Sequence, residues 1–385
     1  MAQHPATQGI SRPASGRKLA GIQALRALAA FGVVACHLVG FEAKYLAGPA
    51  IAPRTFLYGM AGVDLYFVIS GFIITLICTG QFGRPGEPSR FLWRRFIRVY
   101  PIFLIWCLAV YAVFLLRPGM VNSSHGRPDI LASFLLLPQQ NLPLLLVSWT
   151  LVFEAFFYLM FAAALRWLRQ VDLARWLLAW SVLVVAGNLL LQPTRMQPWL
   201  NLVFSPLQLE FVFGCFIALY VDRITKAMAW SSLVLGVVVC AAGMVVLDQD
   251  AAAYPLGWGR SLVFGSAAAL LVIGVVGLEQ FGRQCFPRSL AALGDSSYSL
   301  YLSHIPVIAV VGLFWRHAVA APSPAEHAGA LLSAFGVAIL AGIVSYQLLE
   351  VPMLRVLRRV SLPSFSELRP RLRRARAHEA VLGRD

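Results

Sequence analysis

Residues 91–116 read FLWRRFIRVYPIFLIWCLAVYAVFLL. Arg94, Arg95 and Arg98 crowd the start, and no charged side chain follows from Val99 to Leu116. A helix rising 1.5 Å per residue carries that uncharged run about 27 Å, close to the thickness of bilayer hydrocarbon. The apolar residues do not alternate with polar ones, so the run is a helix and not a strand. Nine more runs of this kind occur. The expected spans are 22–40, 58–79, 98–116, 147–165, 176–191, 203–220, 229–247, 258–279, 296–315 and 329–350. Segment 130–146 is apolar but short and holds Pro138 and Pro143, which suits a re-entrant or interfacial piece.

Composition requires the same answer. The 385 residues are 59% hydrophobic and 13% charged, with a mean hydropathy of +0.73. Soluble domains carry about 25% charged residues, and a chain of this size has no core able to hide so much apolar surface from water. Hydrocarbon can hide it, and then demands helices or a closed barrel. The expected fold is an all-α integral membrane protein of about ten transmembrane helices.

The net charge is +15, but the cations lie in short blocks between apolar runs. This is the pattern of membrane orientation and argues against a nucleic-acid partner. With the N-terminus in the cytoplasm, 24 of the 32 Lys and Arg fall in cytoplasmic segments and 7 in outer ones, with Arg26 inside the first helix. Both termini are therefore expected in the cytoplasm. Residues 1–20 read as a cytoplasmic N-terminal segment, 21–355 as the transmembrane domain and 356–385 as a basic tail suited to anionic headgroups. The six cysteines lie mostly in apolar runs without C-x-x-C spacing, so neither a disulfide framework nor a metal site is expected.

Charged and titratable groups inside the spans cost about 2.5–3.5 kcal/mol each at mid-bilayer, which marks them as functional candidates. Arg26 and His37 share a face of the first helix about 16 Å apart. Asp64 and Glu154 sit near the outer ends of the second and fourth spans, at the depth of His37. A carboxylate there can orient a histidine and raise its basicity, although a structural buried pair would look the same. Arg94, Arg95 and Arg98 form one cationic face at a helix start, and guanidinium forks suit phosphate oxygens. Plain cytoplasmic anchoring would also place arginines there. Ser297, Tyr301 and His304 make a polar stripe on the ninth span, and Glu350 ends the tenth before Pro352, facing a cytoplasmic arginine. No G-x-x-x-x-G-K-[ST], H-E-x-x-H or G-x-S-x-G occurs, which removes the usual signals of ATP-driven transport, zinc proteolysis and serine-hydrolase chemistry.

Six segments in this order resemble the acyltransferase 3 family of bacterial integral-membrane acyltransferases. They are Leu25–Ala30 running to His37, Gly62–Phe72, Arg95–Pro101, Ser148–Glu154, Gly294–His304 and Glu350–Pro352, over about residues 20–355. The spacing is similar to that of exopolysaccharide-modifying members. The resemblance implies transfer of an acyl group, commonly acetyl from acetyl-CoA without a metal, in the bacterial inner membrane. The acceptor it implies is a carbohydrate hydroxyl, as on exopolysaccharide or O-antigen. It places the family's histidine on His37, its arginines on Arg26, Arg95 and Arg98, and its fourth-helix glutamate on Glu154.

The reading that follows is an O-acyltransferase. His37, supported by Asp64 or Glu154, takes the proton of the acceptor. Arg95, Arg98, Arg94 and Arg26 hold the acyl-CoA. Ser70, Trp149, Tyr301 and His304 are candidates for substrate contact or oxyanion stabilisation. Expected partners are the carbohydrate, membrane lipid and polysaccharide-synthesis proteins. The rival is a transporter or flippase of a lipid-linked sugar or acyl donor, which explains the spans but not an arginine face joined to a distant histidine.

Overall fold

The structure, a computed structural model, describes residues 19–121, 126–194, 196–248, 257–319 and 321–359. The segment before residue 19, expected in the cytoplasm, and most of the basic tail lie outside these residues. Ten helices are long and apolar enough to cross a membrane: α1 (Ala20–Tyr45), α2 (Arg54–Cys78), α3 (Glu87–Leu116), α4 (Leu146–Trp167), α5 (Gln170–Leu191), α6 (Pro198–Leu219), α7 (Lys226–Val246), α8 (Trp258–Gln280), α9 (Ser297–Ala318) and α10 (Pro324–Leu357). All ten coincide with the expected spans.

Three helices depart from the expected spans for a local reason. Helix α3 starts eleven residues before its apolar run. Pro88 fits its first turn, Arg90 pairs with Glu87 at 2.7 Å, and Gly86 at φ +84° turns the chain before it. Helix α10 does not stop at Glu350: a π-turn over Tyr346–Glu350 precedes Val351–Leu357 and accommodates Pro352, which has no N–H to give. Helix α6 breaks at Ser205–Pro206. Asn188 Nδ2 and Gln208 Nε2 donate to the carbonyls of Phe204 and Leu202 freed by the break, at 2.9 and 3.0 Å. Segment 130–146 forms a six-residue helix, Ile130–Leu135, capped by Asp129. An irregular stretch follows, in which Leu144 and Leu145 are buried in the core.

The helices divide by burial. In α1, α2, α4, α6, α8 and α9, half or more of the most apolar stretch is buried; in α3, α5, α7 and α10 only 17–28% is. The second group faces lipid, with Leu116, Leu190 and Val245 fully presented outward. Helix α1 is central and packs against α2, α8, α9 and α10. Contacts between helix ends fix the alternation. Glu279 at the end of α8 accepts from the N–H groups of Ala20 and Gly21 at the start of α1. At the opposite end Glu42 accepts from His327 at 2.6 Å and from the N–H groups of Ile51 and Ala52, which ties α1 and α10 to the connecting loop.

Helices α2 and α6 meet backbone to backbone. A Cβ on Gly71 would lie 2.0 Å from Phe211 O, and one on Gly214 would lie 2.0 Å from Val68 O. This brings Phe67, Phe211 and Phe157 into one stack with centroids 4.5 Å apart at each step. Either Gly71→Ala or Gly214→Ala is expected to force α2 and α6 apart at a cost of about 1–3 kcal/mol. Thermal unfolding in detergent reads this as a lowered Tm; an unchanged Tm in both variants contradicts the packing.

Candidate active site

A cavity of about 130 Å³ lies between α1, α2, α3, α4 and α9. Four of the candidates line it from three helices: Arg26 on α1, Arg95 and Arg98 on α3, and Glu154 on α4. Ser70 and Tyr301 line it too. On α2 the wall includes the stripe Val63, Phe67, Ser70, Ile74, at i, i+4, i+7 and i+11, with Tyr66, Ile69 and Ile73 beside it, so the lining runs about 16 Å along that helix.

The arginine end is built from helix termini. Arg98 pairs with Glu350 at 2.5 Å, and Ser299 Oγ donates to the other oxygen of that carboxylate at 2.7 Å. Glu350 is buried, while Arg98 keeps 29% of its side-chain surface exposed. This is the arginine the sequence leads one to expect opposite Glu350. Arg95 lies beside the Phe91 ring, and its Nε is buried with no hydrogen-bond partner. The Arg95 side chain lines the cavity, where a guanidinium suits an anion. Arg26 donates to Gln23 at 3.2 Å, and its carbonyl accepts from Tyr66. Arg94, grouped with Arg95 and Arg98 by sequence, is exposed and does not line the cavity.

The middle of the cavity is polar. One oxygen of Glu154 accepts from Ser70 at 3.0 Å and from Tyr158 at 2.5 Å. Farther along, Tyr301 and Thr150 hydroxyls lie 2.8 Å apart, and both reach Val147 O. Trp149 packs edge-on against Phe153 and is absent from the cavity wall.

His37 is half-buried, and its partner is a second histidine. His37 Nδ1 lies 2.8 Å from Val33 O and 3.3 Å from His304 Nε2. His304 Nδ1 lies 3.2 Å from Leu300 O. Each carbonyl accepts only, so both rings carry their proton on Nδ1 when neutral. His304 Nε2 then accepts from the shared His37 N–H, and the lone pair of His37 is left on Nε2. The Tyr301 ring, with its centroid 6.0 Å from that of His304, stands between this pair and the cavity, whose wall includes neither His37 nor His304.

Asp64 has a different partner from the one the sequence suggested. Its carboxylate accepts from Arg260 Nε at 3.1 and 3.2 Å and from Arg260 Nη2 at 2.7 Å, with both side chains fully buried. Glu154 likewise bonds Ser70 and Tyr158, so His304 occupies the place expected of a carboxylate beside His37. Sequence spacing gives no hint of the Asp64–Arg260 pair, because its members are 196 residues apart. Tyr158 and Tyr298 were overlooked as cavity residues. The first lies one turn from Glu154 and the second one turn from Tyr301, so helical spacing contained both signals. Among the described residues no group of three or more His, Cys, Asp and Glu side chains is placed to hold a metal ion.

The family model described as "Acyltransferase domain" matches residues 19–347, nearly the whole described bundle. The chain belongs to the acyltransferase 3 family of membrane acyltransferases. It is similar to the exopolysaccharide production protein ExoZ of Rhizobium meliloti (strain 1021), at 33% identity over 78% of this chain and 91% of that protein. It is also similar to the acyltransferase MdmB of Streptomyces mycarofaciens, at 29% identity over 89% and 93%. The O-acetyltransferase OatA of Staphylococcus aureus (strain NCTC 8325 / PS 47) is 26% identical over 78% of this chain, which spans about half (52%) of OatA. No solved structure matches the chain.

Arg260 is the cation that Asp64 meets in the interior, and Glu210, also fully buried, lies beside the pair. Arg260→Met leaves Asp64 without that cation and is expected to lower stability by about 3 kcal/mol. A thermal melt in detergent that leaves Tm within a degree of the wild type contradicts this structural role.

Proposed function

We propose that this acyltransferase moves a short acyl group, acetyl first among them, from cytoplasmic acyl-CoA to a hydroxyl of an extracytoplasmic carbohydrate at the bacterial inner membrane. The observation that carries the reading is the single cavity that joins Arg26, Arg95 and Arg98 at one end to Ser70, Glu154 and Tyr301 farther in.

The physical argument follows the donor. A phosphate-bearing nucleotide meets the arginines, where Arg95 Nε lacks a partner and Glu350 holds the Arg98 fork in place. A pantetheine arm is slender, and a cavity of about 130 Å³ drawn out along α2 suits such a shape. Ser70, Tyr158 and Tyr301 offer hydroxyls along that path for the thioester and its developing oxyanion. Beyond Tyr301, His37 acts on the acceptor. Val33 O and His304 fix its tautomer, so Nε2 takes the hydroxyl proton while Nδ1–H stays hydrogen-bonded. The alkoxide attacks the thioester carbonyl, the C–S bond breaks, and the CoA thiolate leaves with the proton that His37 has taken up. The similarity to a protein of exopolysaccharide production favours a surface polysaccharide as acceptor. A flippase needs no donor arginines linked to a histidine.

Purified protein in detergent with radiolabelled acetyl-CoA and the surface polysaccharide of the producing cells is expected to release free CoA and label the polymer. Absence of both overturns the enzyme reading. His37→Ala is expected to slow labelling by about 10²–10⁴-fold with normal protein levels. The pair Arg95→Lys with Arg98→Lys keeps the charge and loses the forks. It is expected to weaken CoA binding by about tenfold or more; unaltered affinity by calorimetry contradicts the phosphate assignment.

A further inference from the structure

The end of the cavity farthest from the arginines has an apolar floor. The Ser70–Glu154 hydrogen bond sets α2 and α4 in register. One to two turns beyond that bond the wall changes from polar to apolar: Phe67 and Val63 on α2, Leu151 on α4. These three side chains are only 1–3% exposed. The Thr150 and Tyr301 hydroxyls meet at this end, one donating to the other and the remaining proton going to Val147 O, which lies within reach of both.

This floor cannot yield easily. Phe67 stacks on Phe211, which stacks on Phe157. The helices that carry Phe67 and Phe211 already touch through Gly71 and Gly214, with no side chain between them to repack. Interiors packed in this way respond to an added methylene with strain rather than expansion.

Resting on the donor assignment made above, we propose that this end is the acyl pocket and that Leu151 and Val63 limit the donor to short acyl thioesters. From Phe67 to Val63 is one helical turn, about 6 Å, which gives room for an acyl group of about two or three carbons. Ser70, Glu154 and Tyr158 then stand where the polar thioester and the adjoining amide pass. A butyryl chain meets Val63, Leu151 and the hydroxyl clasp before its thioester is seated.

The test is calorimetric titration of the full-length protein in detergent with free CoA, acetyl-CoA and butyryl-CoA, which needs no acceptor. Wild-type protein is expected to bind CoA and acetyl-CoA, and to bind butyryl-CoA about tenfold or more weakly than acetyl-CoA. Leu151→Ala is expected to remove most of that difference. Val63→Ala, a smaller truncation on a different helix, is expected to reduce it and serves if Leu151→Ala does not purify as a monodisperse species. Equal affinity of the wild type for acetyl-CoA and butyryl-CoA overturns the pocket assignment and leaves the donor reading standing. So does discrimination that persists unchanged in a folded variant. Failure of free CoA to bind at all overturns the donor reading itself.

Discussion

A charge between apolar helices must meet its opposite there or leave for water, because neither lipid nor a packed interior solvates it. The described bundle obeys this at two levels. Asp64 and Arg260 neutralise each other in full burial, joining α2 to α8. Arg98 and Glu350 do so at the rim of the cavity, joining α3 to α10, with Ser299 of α9 as a third partner. In both places a π-turn adjoins the pair: Ser261–Gly265 directly follows Arg260, and Tyr346–Glu350 ends in Glu350 itself. A π-turn shifts the side chains on its two sides relative to one another, out of the regular helical progression. The extra residue allows a charged side chain to reach its partner without moving the helix that carries it.

Arg95 lines the cavity, and its Nε is buried without a partner. Two guanidiniums three residues apart on one helix repel each other, and Glu350 answers Arg98 directly. An incoming anion would supply the missing acceptor for Arg95. In the proposed reading the arginine end receives a charge that the donor brings, whereas Asp64 and Arg260 meet within the bundle. Helix α1 links this end to the histidines. Arg26 and His37 share one rigid helix, so their separation is set by backbone geometry and not by loop conformation.

Much of this was legible in the sequence. Hydrophobic runs of bilayer length are an unambiguous signal, and all ten became helices. Residues related by one helix, such as Arg95 with Arg98 or Tyr301 with His304, were legible because helical spacing is fixed. Pairings across the bundle were not. Asp64 seeks whichever cation the packing brings near, and the sequence around Gly62–Phe72 carries no mark of Arg260. The same gap hid the link between His37 and His304, which are 267 residues apart although each was visible as a polar intrusion in its own span. Helix ends were legible where a glycine or a clear change in polarity marked them. They were misjudged at α3 and α10, where the helix runs past the apolar stretch and is held by ion pairs.

Selectivity in the proposed transfer comes from how unevenly the cavity wall is supported. Around the arginines, side chains with exposed surface and flexible stems can adjust to a large, hydrated, charged group. At the other end, glycines bring α2 and α6 into backbone contact, and the aromatic stack they permit leaves the wall no slack. A soft mouth tolerates variation in how the nucleotide sits, whereas a hard floor does not tolerate variation in what lies at the tip of the arm. The hydroxyl clasp of Thr150 and Tyr301 stands at the boundary between that floor and the histidine pair. Any acyl group passed from one to the other has to cross there, so the two side chains that close the pocket are also those whose movement would open it to the acceptor.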